Sequence, residues 1–144
     1  MHPKFPIADK RSHEVIGAAI EVHKLKGPGL IESIYEKCLM HELTLRNIPA
    51  SNQMDVPIDY KGFVFTESLT LDVIVDNSLI LELKAVEKVL PIHKAQLLSY
   101  MKLLDIPLGL IINFNVVRLV DGIRRLILPG ANEDLDNSDV SLQQ

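Results

Sequence analysis

Two short apolar runs, 69–75 and 79–83, flank Asp76-Asn77-Ser78 and carry charges within them at Asp72 and Glu82, with Lys84 just beyond. Runs this short, rich in Val, Ile and Leu and split by turn residues, fold as a β-hairpin. Side chains alternate between the faces of a strand, and directly opposed residues share a face. A three-residue loop at 76–78 sets Val75 against Leu79, Asp72 against Glu82 and Thr70 against Lys84. Leu71, Val73, Val75, Leu79, Leu81 and Leu83 then form one wholly apolar face. A two-residue loop would mix the sets, so the hydrophobic pattern selects the odd loop.

That register places like charges opposite each other, which destabilises a strand pair. At about 5 Å and an effective dielectric of about 20 the repulsion is roughly 3 kcal/mol. A folded chain relieves it by protonating one carboxylate or by holding a cation between the two. Two oxygen ligands suit a hard divalent ion, Mg²⁺ or Mn²⁺, and Lys84 adds an ammonium on the same face. The ribbon therefore reads as a metal site.

The rest of the chain must cover this ribbon. Its 144 residues suggest one domain over 1–130, and 47% hydrophobic with 24% charged residues is ordinary soluble composition. No apolar run reaches about 18 residues, so no membrane partner is expected, and the opening residues lack a signal-peptide core. Cys38 stands alone, which excludes an internal disulfide or a multi-cysteine zinc site and fits a reducing cytoplasm. The net charge of −4 resides in 131–144, where Glu133, Asp134, Asp136 and Asp139 meet no Lys or Arg; this segment is expected to be a disordered tail. Between 84 and 125, seven basic residues face three acidic ones, so a local basic surface is possible on an otherwise neutral domain. Solvated lysines on helix backs explain any one of them equally well.

Ser12 is a candidate N-cap for a first helix to about Leu25, with Ile16, Ala19, Ile20 and His23 on its inner face. His23 reads as a packing histidine. Gly27-Pro28-Gly29 turns the chain into a second helix to about Arg46, with Ile31, Ile34, Tyr35 and Cys38 as its stripe. With Gly29 as N-cap, Glu32 falls at N3 and favours the helix dipole; spacing alone prefers this to a role as a third carboxylate at the hairpin. Residues 54–60 alternate as a first strand, placed at an edge by Pro57, and Lys61-Gly62 turns into a strand over 63–75. A third helix runs from Pro91 to about Leu104, followed by a buried strand over 108–114 parallel to its predecessor. A last hairpin is expected from 117–120 and 123–128 around Asp121-Gly122. On the third helix Gln96 and Tyr100 share a face with Ile92 and Leu103, and a buried amide there would need hydrogen-bond partners. His93 reads as a surface residue at that helix's start.

Taken together, Asp72, Glu82-Leu83-Lys84 and Gln96-Leu97-Leu98-Ser99-Tyr100 resemble the PD-(D/E)xK nuclease superfamily, in its branch with a Q-x-x-x-Y helix. Gly29-Leu30-Ile31-Glu32-Ser33-Ile34-Tyr35 is similar to the signature of the GxxExxY protein family within it. The likeness covers roughly residues 12–128, with Leu71 where the motif's proline would stand. It implies an α/β, restriction-endonuclease-like three-layer fold, a mixed central β-sheet in order 1-2-3-4-5 flanked by helices. It also implies that Asp72, Glu82 and the Leu83 carbonyl hold Mg²⁺ or Mn²⁺, with Glu32 completing the shell. Lys84 would position or activate the attacking water, and Gln96 and Tyr100 would brace the site or touch the strand. The implied activity is metal-dependent hydrolysis of phosphodiesters in DNA, with RNA second. The rival is a catalytically silent nuclease-fold module that binds nucleic acid or a partner protein. Few aromatics and modest basicity suggest a second copy or a protein partner to grip the substrate.

Overall fold

The hairpin forms with the three-residue loop. In the computed structural model, which describes residues 1–133 and, at 68 and 69, the backbone alone, β2 (Phe63–Val75) pairs antiparallel with β3 (Leu79–Lys84). The register is Val75↔Leu79, Ile74↔Ile80 and Val73↔Leu81, closed by Asp76 and Asn77 at φ of +49° each and by Ser78 N–H donating to Val75 O. β1 (Ala50–Tyr60) joins the far side of β2, and β4 (Leu108–Asn113) runs parallel to β3. β5 (Ile123–Ile127) pairs antiparallel with β4, completing a five-stranded mixed sheet in the order β1-β2-β3-β4-β5.

Three helices cover this sheet among the described residues. α1 (Phe5–Lys26) and α2 (Glu32–Leu45) lie on one face, where Val15, Ala19, Val22, Tyr35, Leu39 and Leu43 pack against Val73, Val75, Leu81 and Leu83. α3 (Pro91–Leu104) covers the other, where Leu97, Tyr100 and Met101 pack against Ile74, Ile80 and Ile111. Each such side chain fully withdrawn from water contributes roughly 1.5–3 kcal/mol, which fixes both the layers and the strand register. The result is an α/β, three-layer, restriction-endonuclease-like architecture. Among the described residues no helix is long and apolar enough to cross a membrane.

Several expectations shift. α1 begins seven residues before Ser12, because Pro6 in its first turn supplies a pre-set φ; Ser12 is instead buried mid-helix, its hydroxyl donating to Asp9 O at 2.6 Å. α2 starts at Glu32, so Glu32 is the first helical residue rather than the third. Its buried stripe is Tyr35, Leu39 and Leu43, while Ile31 and Ile34 are exposed. The expected second hairpin is absent: Leu119–Gly122 is a 3-10 turn, and β5 pairs with β4 instead. Gly122 sits so close to the Asn113 carbonyl oxygen that a Cβ would overlap it, a close approach that glycine allows.

Leu71 also departs from the parity reading. It is buried with Val56, Ile74 and Leu97 beneath α3, not with Val73 and Leu81. Gln53, across β1 from Asp72, has φ of +53°, and the β1–β2 ladder skips this pair. A left-handed residue rotates the main chain out of simple alternation. Of the tail expected from 131, Ala131 is packed and its carbonyl accepts the His2 N–H at 2.8 Å, and residues 134–144, with Asp134, Asp136 and Asp139, lie outside the described residues.

Candidate functional site

The β2–β3 ladder ends at Val73↔Leu81, one residue short of the acid pair. Beyond it the Leu83 N–H donates not to β2's main chain but to Asp72 Oδ2, at 2.8 Å. The carboxylate thus takes the place of a main-chain rung, and the strands part at this point. Glu82, on β3, is only 5% exposed, and its Oε1 finds no hydrogen-bond donor among the described residues. Lys84 Nζ stands 3.9 Å from Glu82 Oε2, a loose ion pair whose two side chains are both largely buried.

These surroundings set the protonation states. Burial, and then the neighbouring Asp72 charge, push the Glu82 carboxyl up to about 8, with Lys84 opposing. Asp72 is raised as well, mainly by burial, against the Leu83 N–H that steadies its charged form. A carboxylate oxygen left buried without a donor, next to a second carboxylate, is a costly arrangement unless a proton or a cation completes it. Two hard oxygen donors of this kind fit Mg²⁺ or Mn²⁺.

α2 presents its first turn to the same place. Tyr35 fixes the approach: its hydroxyl donates to Gly27 O at 2.6 Å and accepts the Leu30 N–H at 3.1 Å, while its ring stacks on Phe114 at 4.4 Å. Gly27 and Gly29 adopt φ of +69° and +97°, which let the loop double back before the helix opens at Glu32. Burial raises the Glu32 carboxyl, and Asp72 raises it further. Yet no three His, Cys, Asp or Glu side chains converge into a ligand cluster among the described residues. Glu32 is therefore a flanking carboxylate that shares the field of Asp72 and Glu82.

α3 brings up Gln96 and Tyr100. Gln96 Nε2 donates to the Tyr100 hydroxyl at 3.1 Å, one helical turn apart. Tyr100 is buried, and burial and the Glu82 charge hold its phenol above the usual range, so it stays protonated. The expected stripe is only partly present: Gln96 itself is exposed, as are Ile92 and Leu103, because the helix turns Leu97, Tyr100 and Met101 inward. Gln96 is thus an exposed partner of Tyr100, not a buried amide. His93 caps α3, its Nδ1 accepting the Leu90 N–H at 3.0 Å.

Two residues that the sequence reading missed support this site. Glu36, one turn after Glu32, accepts hydrogen bonds from Asn52 Nδ2 at 3.1 Å and Gln53 Nε2 at 3.0 Å, clamping β1 opposite Asp72. Its i,i+4 spacing from Glu32 was the available signal. Asn113 is buried beside Lys84 in the β3–β4 register and exchanges two hydrogen bonds with the Val86 main chain, at 2.9 and 3.1 Å. A lone Asn ending an apolar strand offered no comparable sign.

Comparison with known proteins adds one positive finding. The family model described as the PD-(D/E)XK nuclease superfamily matches residues 9–126, from within α1 to within β5. No curated protein and no solved structure matches the chain.

Proposed function

The chain belongs to the PD-(D/E)XK nuclease superfamily, and from that premise we propose that it is a Mg²⁺- or Mn²⁺-dependent phosphodiesterase acting on DNA. The observation that carries the reading is the Glu82 Oε1, buried without a donor beside Asp72. Glu82, Asp72 and the Leu83 carbonyl would hold the ion, with Glu32 at its edge. The bound ion supplies Lewis-acid polarisation of the phosphoryl oxygen and lowers the pKa of a coordinated water.

The chain's own groups do the rest. Lys84 places a positive charge where the phosphoryl oxygens gain negative charge, and it orients the attacking water. The Leu83 N–H holds Asp72 in one orientation. Tyr100, accepting from Gln96 and kept protonated, has its own O–H to donate toward the site or the strand. The likeness of Gly29 through Tyr35 to the GxxExxY branch supports a role for Glu32 in this set.

The absence of a three-carboxylate cluster among the described residues favours one alternative, a silent module of the same fold that binds nucleic acid or a protein. Cleavage of linear, circular and single-stranded DNA with each metal separates the two. Asp72→Asn and Lys84→Ala are each expected to lower cleavage at least about a hundredfold. Calorimetric Mn²⁺ titration should show binding that Asp72→Asn weakens. No cleavage of any substrate, with no Mn²⁺ uptake, would leave the silent module as the answer.

A further inference from the structure

A chain whose described and remaining acids outnumber its bases must concentrate positive charge locally if it is to hold a polyanion. One cavity does so next to Lys84. The β3–β4 register sets Lys84 against Asn113, on one face of the sheet, and the Phe114 N–H donates to Lys84 O at 2.9 Å. Asn113 in turn floors a groove of about 330 Å³ that is bordered by Lys88, Lys94 and Arg124. Building from the nuclease reading, we infer that this groove is a channel for the phosphodiester backbone of the strand that enters the Asp72–Glu82 site.

Its walls are fixed before any ligand arrives. The Asn113 amide holds Val86 by two hydrogen bonds and also accepts the Asn115 N–H at 3.2 Å, tying down the segment that leads to Lys88. On the opposite wall, Gly122 lies directly against the Asn113 carbonyl, where no side chain would fit. Arg124 Nη1 donates to the carbonyls of Asp121 and Ile123 at 3.1 and 2.9 Å, which aims the guanidinium and leaves its other N–H groups for a ligand. Lys94 projects from the first turns of α3.

The groove also carries Glu87 and Asp121, yet among the described residues none of its three cations is ion-paired with a carboxylate. Cations that decline nearby carboxylates remain available to phosphate oxygens. The contrast with Arg125 is instructive: that guanidinium is committed to Asp9 at 2.6 Å and to Ser12 at 2.8 Å, and so belongs to the α1–β5 contact. Arg124, its neighbour, points to the groove instead.

The test is binding of a short fluorescein-labelled oligonucleotide, single- and double-stranded, to the full chain in EDTA across a salt series. Lys88→Gln/Lys94→Gln/Arg124→Gln together should weaken binding at least tenfold and flatten the salt dependence, each lost phosphate contact lowering the slope by about 0.7 for a single strand and about 0.9 for a duplex. Lys10→Gln, on α1, removes a charge elsewhere and should leave both unchanged. Glu87→Gln should tighten binding, a gain that misfolding cannot produce. A triple variant with the parent's affinity and slope, or a Glu87→Gln variant that binds no better, overturns the channel while leaving the nuclease reading standing. A parent that binds no oligonucleotide overturns the channel, while the nuclease reading stands or falls by cleavage with Mg²⁺ or Mn²⁺.

Discussion

β2 is one strand with two different lives. Its inner end, Val73 to Val75, is hydrogen-bonded on both edges, to β1 and to β3, and lies under helices on both faces. Its outer part pairs with β1 alone, and there Phe63 and Val64 are 66% and 65% exposed, with Tyr60 opposite at 63%. Apolar residues stand in both parts, Val73, Ile74 and Val75 in the inner one and Phe63, Val64 and Phe65 in the outer one. What differs is the partner: a sheet interior for one, a two-stranded ribbon in water for the other. Asp72 stands at the boundary. A carboxylate pair can be kept dry on one side and reached from the other only where a sheet is coming apart, so the candidate chemistry sits at the fork rather than in either half.

Mutations that strike one half and spare the other break this comparison most directly. Leu81→Ala removes a fully buried side chain facing Val73 and should cost about 2–5 kcal/mol of unfolding free energy by urea titration. A loss under about 1 kcal/mol would mean that the inner half is not a packed core. The pH dependence of metal-free stability comes next. Glu82, raised in the fold, favours the folded state when protonated; that contribution is complete below about 4.5 and is lost as pH rises through about 8. Asp72 and Glu32 are raised too and act in the same direction. Thermal melts in EDTA should therefore fall from pH 5 to pH 8.5, with Glu82 contributing at most about 1.4 kcal/mol per pH unit. Asp72→Asn should flatten the curve and raise the melting temperature at the alkaline end; a profile that rises with pH would contradict the buried acid pair.

A smaller effect is expected at the clamp. Glu36→Gln keeps the shape but weakens the hydrogen bonds to Asn52 and Gln53, each of which gains from a charged acceptor, and should cost about 1 kcal/mol. It also withdraws a negative charge that raises Asp72, so the alkaline loss of stability should shrink slightly. The smallest change is Phe63→Ala in the outer ribbon. Losing its stack on Phe65, at 5.1 Å, should cost less than about 1 kcal/mol globally, while hydrogen exchange speeds up across the ribbon and not in β3.

Much of this was legible beforehand, and the misses have local causes. The bounds of β2 and α3 follow from Lys61-Gly62, the 76–78 turn, Pro91 and Asp105-Ile106-Pro107, all short-range signals. The register from Val75↔Leu79 to Val73↔Leu81 follows from counting across a loop of known parity, but the ladder ends there and the count does not carry on to 72 and 82. Exposure was harder to read than element type. Ile92, Leu103, Ile31 and Ile34 matched helical periods but face water, because the helix azimuth is set by the sheet beneath and not by the helix's own sequence. Asp121-Gly122 has the composition of a hairpin turn, yet it ends a 3-10 turn, with Gly122 close against the Asn113 carbonyl. Glu36 and Gln53 meet only after β1 has folded over α2, so their partnership had no trace in spacing.

The Asp72 side chain that stands in for a backbone rung has a consequence for anyone altering it. It works as a wedge: with the acid gone, the freed Leu83 amide would seek a carbonyl on the neighbouring strand, and the two strands could zip onward and shut the opening. Replacement by alanine would then erase the gap along with the charge, and a loss of cleavage would say little about chemistry. Asparagine, which still offers an oxygen to that amide, keeps the door ajar and isolates what the negative charge contributes.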